Sequence, residues 1–192
     1  MRTVVLSAPG REEISAATRD GLNRQNPGQP WNFFAASGRG AIVDFWAMLR
    51  AQAPYTEDLL ALEDDIVTAR NFLRYVSRWR SLYMTSFFFM AGGGLMPGRP
   101  ESPTTFGCSQ ALWFPRRLVE LLATMGPPAG ARLQDDALGV RLSELRTSVV
   151  YHRSLVQHVE APSLARPGRG RDWIVAPDFV GEDFDCLTLL GV

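Results

Sequence analysis

No lysine occurs anywhere in the 192 residues: all 20 basic side chains are arginine. That absence excludes a Walker-A phosphate loop, whose lysine reaches the terminal phosphates, and any Schiff-base chemistry. Cysteine is nearly as scarce. Cys108 and Cys186 are the only two, far apart and without a CxxC or Cys/His spacing, so buried thiols are expected and a zinc site is not. No apolar run reaches the roughly 18 residues that a membrane span needs. The opening Met1-Arg2-Thr3-Val4-Val5-Leu6-Ser7 turns polar too soon for a signal peptide. A cytoplasmic location and no membrane partner are expected. Net charge is lacking as well. A formal value of zero gives no global attraction to nucleic acid and leaves only local groups such as Arg74, Arg78 and Arg80, or Arg166, Arg169 and Arg171.

What is present is a hydrophobic share of 46% against 21% charged, the balance of one globular domain over 1–192 with a sizeable core. One stretch stands apart: Asp58-Leu59-Leu60-Ala61-Leu62-Glu63-Asp64-Asp65-Ile66, an apolar run that ends in three adjacent acids. A run of this length reads as a central strand covered on both faces. The acids then fall at its carboxyl end, the edge where open α/β sheets bind ligands. Neighbouring carboxylates repel and raise one another's pKa unless positive charge lies among them, and a divalent cation with oxygen ligands meets that need. The plainer alternative is that Asp64 or Asp65 caps a helix beginning at Ile66, with the other acids favoured by its dipole.

Along the chain, Thr3–Leu6 reads as a first strand and Ser7–Arg11 as a turn. A helix over Glu12–Gln25 should bury Ile14, Ala17 and Leu22. Trp31–Ala36 is an expected strand and Ala41–Ala53 a helix closed by Pro54. The acidic strand follows, then a helix over Thr68–Trp79, so the order β-α-β-α-β-α points to a parallel sheet with right-handed crossovers. Ser81–Met90 reads as a core strand, 91–103 as a Gly/Pro-rich loop that is either a lid or a plain excursion, and Thr104–Phe114 as a strand bulged at Gly107. Pro115-Arg116-Arg117 opens a helix to Met125. Asp135 and Asp136 stand at the mouth of another, which buries Leu138, Leu142 and Leu145. Ser148–Val159 reads as a late strand carrying both His152 and His158, on one face yet about 20 Å apart, too far to share one ion.

The order of these blocks resembles the GT-A glycosyltransferases, and most closely the N-acetylglucosaminyltransferase IV family. Leu62-Glu63-Asp64-Asp65-Ile66 is similar to that family's strand end, and Gln157-His158-Val159 with Ser163-Leu164 to its late segment. Asp135 stands where the family has an aspartate opening a helix. Glu160 departs from the family's glycine, and the chain is shorter than the animal enzymes. The arginine-only composition and the size fit a bacterial or phage protein. The resemblance implies a GT-A-like (Rossmann-like) α/β fold, a mostly parallel central sheet with helices on both faces. It implies an inverting hexosyl- or N-acetylhexosaminyl-transferase that takes the sugar from a nucleoside diphosphate donor, UDP-linked, to an acceptor hydroxyl. A divalent metal, Mn2+ or Mg2+, would sit on Asp65, with Asp64 and Glu63 as further ligands or ribose contacts and His158 as a ligand or a donor to phosphate. Asp135 would be the general base, with Asp136 in reserve. Ser7, Ala8, Pro9 and Arg11 would line base and ribose, and Gly107, Ser109 and Gln110 the donor sugar. The acceptor is open between a glycan or small molecule and a hydroxymethylated pyrimidine in phage DNA. A non-catalytic nucleotide-sugar binding module and a nucleotidyl transferase are the readings of other classes.

Overall fold

Val4 and Val5 point to opposite faces of the first strand and both are buried, so the sheet must be covered on each side. The structure, a computed structural model, describes residues 1–88, 97–107, 109–159 and 175–191. Its elements are β1 (Arg2–Ser7), α1 (Glu12–Gln25), β2 (Asn32–Ala35), α2 (Ala41–Gln52), β3 (Leu59–Glu63), β4 (Ile66–Thr68), α3 (Phe72–Val76), β5 (Met84–Ser86), β6 (Pro100–Glu101), β7 (Ala111–Phe114), α4 (Arg116–Met125), α5 (Gln134–Glu144), β8 (Val149–Tyr151) and β9 (Val156–His158). Short 3-10 turns lie at Pro103–Thr105 and Cys186–Leu190. Seven strands form one sheet in the order β2-β1-β3-β7-β5-β8-β6, and β4 pairs with β9 in a separate ribbon. β1 is parallel to β2 and β3, and β5 to β8, while β7 and β6 oppose their neighbours. Five strands (β1, β2, β3, β5 and β8) therefore run one way, the mostly parallel sheet that the sequence predicts.

Alternation along β3 divides the core. Leu59 and Ala61 pack with α2, α4 and α5 on one face, and Leu60 and Leu62 with Leu22 of α1, α3 and the tail on the other. Helices thus cover both faces. β2 lies on one side of β1 and β3 on the other, so the strand order reverses beside β1, and the carboxyl ends of β1 and β3 are the edge at which open α/β sheets bind ligands. Among the described residues, no helix is long and apolar enough to cross a membrane. Cys186 is a buried thiol; Cys108 lies outside the described residues, as do Arg166, Arg169, Arg171 and much of the Gly/Pro-rich loop.

Several expected elements are shorter or different. Ile66 begins strand β4, not a helix, so the capping explanation of Asp64 and Asp65 fails. The helix expected over Thr68–Trp79 shrinks to Phe72–Val76, because Ile66–Thr68 finds a strand partner. Of the described residues in the expected strand at Ser81–Met90, Met84–Ser86 form β5, and residues 89 and 90 lie outside the described residues. Thr104–Phe114 divides into a 3-10 turn and β7, the backbone turning before Gly107. Ser148–Val159 breaks into β8, in the main sheet, and β9, in the ribbon; His152 follows the end of β8 and His158 lies in β9, so the two histidines do not share a strand face. α1 keeps its expected bounds but turns a different face inward: Arg11, Ser15, Thr18 and Leu22 are buried, whereas Ala17 is exposed.

Candidate functional site

The polar stripe of α1 exists because of the acids it meets. Asp64 and Asp65, each 2% exposed, form the turn between β3 and β4. Carboxylates taken this far from water must be paired or fully hydrogen-bonded. Asp64 accepts from the backbone N–H of Ala8 at 2.8 Å, from Ser15 Oγ at 2.9 Å and from Arg11 Nη1 at 3.2 Å. Ser7 Oγ lies 2.9 Å from Ser15 Oγ and extends the same network. Thr18 Oγ1 donates to the carbonyl of Asp64 at 2.7 Å, so the turn hangs from one side of α1. The sequence does place positive charge among the acids, and it is the guanidinium of Arg11, which also donates to Asp65 Oδ2 at 2.5 Å. Arg11 is thereby an internal counter-charge to both acids; the family resemblance implies a place for it beside base and ribose. The spacing of Ser15 and Thr18, three residues apart on one face of α1, was the signal the sequence held for that polar stripe.

The third wall comes from the ribbon. β4 pairs antiparallel with β9, Ile66 opposite His158, and Val159 N–H donates to the carbonyl of Asp65 at 2.8 Å. His158 Nε2 consequently lies 3.1 Å from Asp65 Oδ2. Glu63, the last residue of β3, accepts from Ser109 Oγ at 2.7 Å, and its N–H donates to the carbonyl of Gln110 at 3.0 Å. Glu63, Asp65 and His158 each offer one ligand atom, all within 4.8 Å of one another. Asp65 Oδ1 and His158 Nδ1 are buried, with no hydrogen-bond partner among the described residues. Two carboxylates and an imidazole around an unsatisfied buried oxygen suit a divalent ion such as manganese, so the residues present fit the metal.

Charge coupling ties the group together. Burial first, and the charge of Asp65 second, push the Glu63 carboxyl up to about 7, with Asp135 adding to the repulsion. Burial alone would raise Asp65, but His158 and Arg11 outweigh it and hold that carboxyl below its ordinary range. Burial likewise pulls His158 down, yet its bond to Asp65 and the nearby charges of Asp65 and Glu63 hold the imidazole above its ordinary value.

The remaining expected residues divide. Asp135, half-buried in the first turn of α5, is near enough for its charge to act on Glu63, whereas Asp136 is exposed. Ala8 and Ser7 belong to the acid network. Pro9 faces the next loop, since a Cβ on Gly38 would come within 3.3 Å of its ring. That loop is braced by Asp44, which accepts from the N–H groups of Ser37 at 2.8 Å and Gly38 at 3.2 Å, a brace the sequence reading missed. Ser109 and Gln110 reach Glu63; a Cβ on Gly107 would meet no atom within 4 Å among the described residues beyond its chain neighbours. His152 is a satisfied core histidine, its ring between Tyr75 Oη and the carbonyl of Arg153, at 2.9 Å each, and against Phe87 and Trp79.

No family's sequence pattern matches the chain, and no curated protein matches it. Solved structures do. A Drosophila β1,4-galactosyltransferase 7 variant in complex with manganese, UDP-Gal and xylobiose superposes with a TM-score of 0.53 at 11% identity, over 89% of this chain and 76% of that one. A glycosyltransferase involved in glycosylation of the major capsid of PBCV-1 gives 0.52 at 11% identity, over 85% and 95%. The galactosyltransferase LgtC, with donor and acceptor sugar analogues, gives 0.53 at 10% identity, over 93% and 92%. What these glycosyltransferases share with the chain is the fold.

Proposed function

We propose that this chain is a metal-dependent inverting glycosyltransferase that moves a hexosyl or N-acetylhexosaminyl group from a UDP-linked donor to an acceptor hydroxyl on a glycan or small molecule. The observation that carries the reading is Asp65: a buried carboxylate with one oxygen unpartnered among the described residues, beside Glu63 and His158, at the edge formed by the carboxyl ends of β1 and β3. Asp65, Glu63 and His158 would hold Mn2+ or Mg2+, which when bound supplies positive charge against the departing diphosphate. Arg11, bonded to both Asp64 and Asp65, holds the two carboxylates in place. The loop from Ser7 to Arg11 and the braced Ser37–Gly38 loop flank the place for the nucleoside, and Ser109 and Gln110 lie beside Glu63 on the side of the sugar.

Asp135 is the base in this scheme. It accepts the proton of the acceptor hydroxyl as that oxygen forms its bond to the anomeric carbon and the bond to UDP breaks on the opposite face. Its closeness to the acids favours it over exposed Asp136, and favours an enzyme over a pure donor-binding module, which has no use for a base. Thermal unfolding tests the donor site directly. Mn2+ with UDP should raise Tm, EDTA should abolish the rise, and Asp65→Asn should not respond; an equal Tm in all four conditions would remove the basis of the assignment. Asp135→Asn should keep the Mn2+/UDP shift and lose transfer by about 10²-fold or more, while Asp136→Asn stays within severalfold of the parent. A mass-spectrometric screen of UDP-sugars, with glycans and hydroxymethylated DNA as acceptor arms, identifies what is modified.

A further inference from the structure

Among the described residues β9 has a strand on one side only. Its inner edge bonds to β4, but a two-stranded ribbon is marginal by itself in water, and the outward backbone groups need partners. The side chain of Gln157 supplies one to the N–H of His158 and reaches on to Ala176. Gln157 Oε1 accepts from the N–H of His158 at 3.0 Å and from the N–H of Ala176 at 3.0 Å, while Nε2 donates to the carbonyl of Ala176 at 3.1 Å. Reversing the amide would set its NH2 against two N–H donors, so the network itself fixes this orientation. A second tie lies alongside: Ser154 Oγ donates to Asp178 Oδ1 at 2.6 Å, and Val180 N–H to the carbonyl of Ser154 at 3.3 Å. Phe88, Ala176 and Phe179 pack together beneath it.

We infer that Gln157 is a positioning residue: its carboxamide stands in for the missing third strand of the ribbon, fastens the 176–180 segment along β9, and so holds His158 against Asp65. His158 is fixed from both sides, its own N–H by Gln157 and the next residue's N–H by the carbonyl of Asp65. The inference rests on the reading of His158 as a metal ligand, but the clamp itself can be judged without metal. Partners that orient a metal ligand typically alter affinity 10–100-fold when removed.

The test compares Gln157→Glu, which keeps an acceptor oxygen and loses the donor to Ala176, with Gln157→Met, which keeps the shape and loses all three bonds. Trp46→Phe serves as a remote control for general destabilisation, losing part of a buried ring together with the bond from its indole N–H to the carbonyl of Leu122. Amide hydrogen exchange is read on the metal-free chain, and Mn2+ affinity by the electron paramagnetic resonance of the free ion. Gln157→Met should exchange Val159 and Ala176 amides faster while β1 and β3 amides are unchanged, and should bind Mn2+ about 10-fold or more weakly; Gln157→Glu, which still accepts from both N–H groups, should show smaller losses of both. Trp46→Phe should do neither. Parental protection at Val159 together with parental Mn2+ affinity in Gln157→Met overturns the inference and leaves the donor site standing. Should the parent bind no Mn2+, the metal reading falls; the clamp then stands if Gln157→Met loses protection at Val159 and is overturned if it keeps it.

Discussion

Removing the guanidinium of Arg11 would leave Asp64 and Asp65 buried beside each other with no fixed positive charge. Breaking a buried ion pair in this way costs about 3–5 kcal/mol, so Arg11→Met should lower Tm by on the order of 10 °C, measured by calorimetry without metal. A loss of a degree or two would mean that the acids relax into water. Protons answer to the same geometry. The Glu63 carboxyl, raised to about 7, stabilises the fold below its ordinary value and loses that contribution as pH climbs toward 7. His158, also raised, contributes below its ordinary value and loses the contribution as pH rises through its folded one. Asp65, lowered, contributes above its ordinary value and fails only in acid. The metal-free chain should therefore melt earlier at about pH 8 than at about pH 6, with the Tm gain from Mn2+ larger at the higher pH as the ligands give up their protons. Residue types and order made Glu63, Asp65, His158 and Asp135 legible. The role of Arg11 was not, because whether an arginine in a turn faces solvent or a carboxylate 53 residues later is decided by tertiary packing.

Helix α5 places Asp135 through Gly139, one turn further along the same face. A Cβ there would meet the carbonyl oxygen of Pro103 at 2.7 Å, so the helix lies on the 3-10 turn at a distance only glycine permits. Gly139→Ala should push the helix off that turn and carry Asp135 with it. Because a misplacement near 1 Å can lower a rate on the order of 10²-fold, kcat should fall about 10-fold or more while the Mn2+/UDP Tm shift is retained; loss of both would place the effect in the donor site. Long elements were readable in advance. α1, α4 and β3 have the lengths and patterns that periodicity detects. β4 and β9 were not, since three-residue strands are too short to carry a period and each exists only because the other is there. α1 shows the converse failure: its apolar pattern named Ala17 as buried, yet the helix turns Ser15 and Thr18 inward to serve the acids. Local pattern yields to function where a site needs polar groups in the interior.

For the whole molecule, the two-sided burial of β3 made the sheet and its layers legible, and with them the edge at which the acids gather. The solved glycosyltransferases share that architecture, but at 10–11% identity the chemistry has to be argued from side chains. Placing Asp135 as a base on the acceptor side predicts inversion: the anomeric configuration of the product, read from the coupling of its anomeric proton, should be opposite to that of the donor. Retention would remove Asp135 from that role. The ribbon has one more consequence, for the order of biosynthesis. The acids at 63–65 emerge early, but His158 follows 93 residues after Asp65 and its Ala176 fastening 111 residues after it, on the order of ten seconds at usual elongation rates. A nascent chain can build β1, α1 and β3 in that interval and still lack the third ligand. Ion uptake would then report the arrival of the tail, and a truncated product of translation would be unable to sequester manganese.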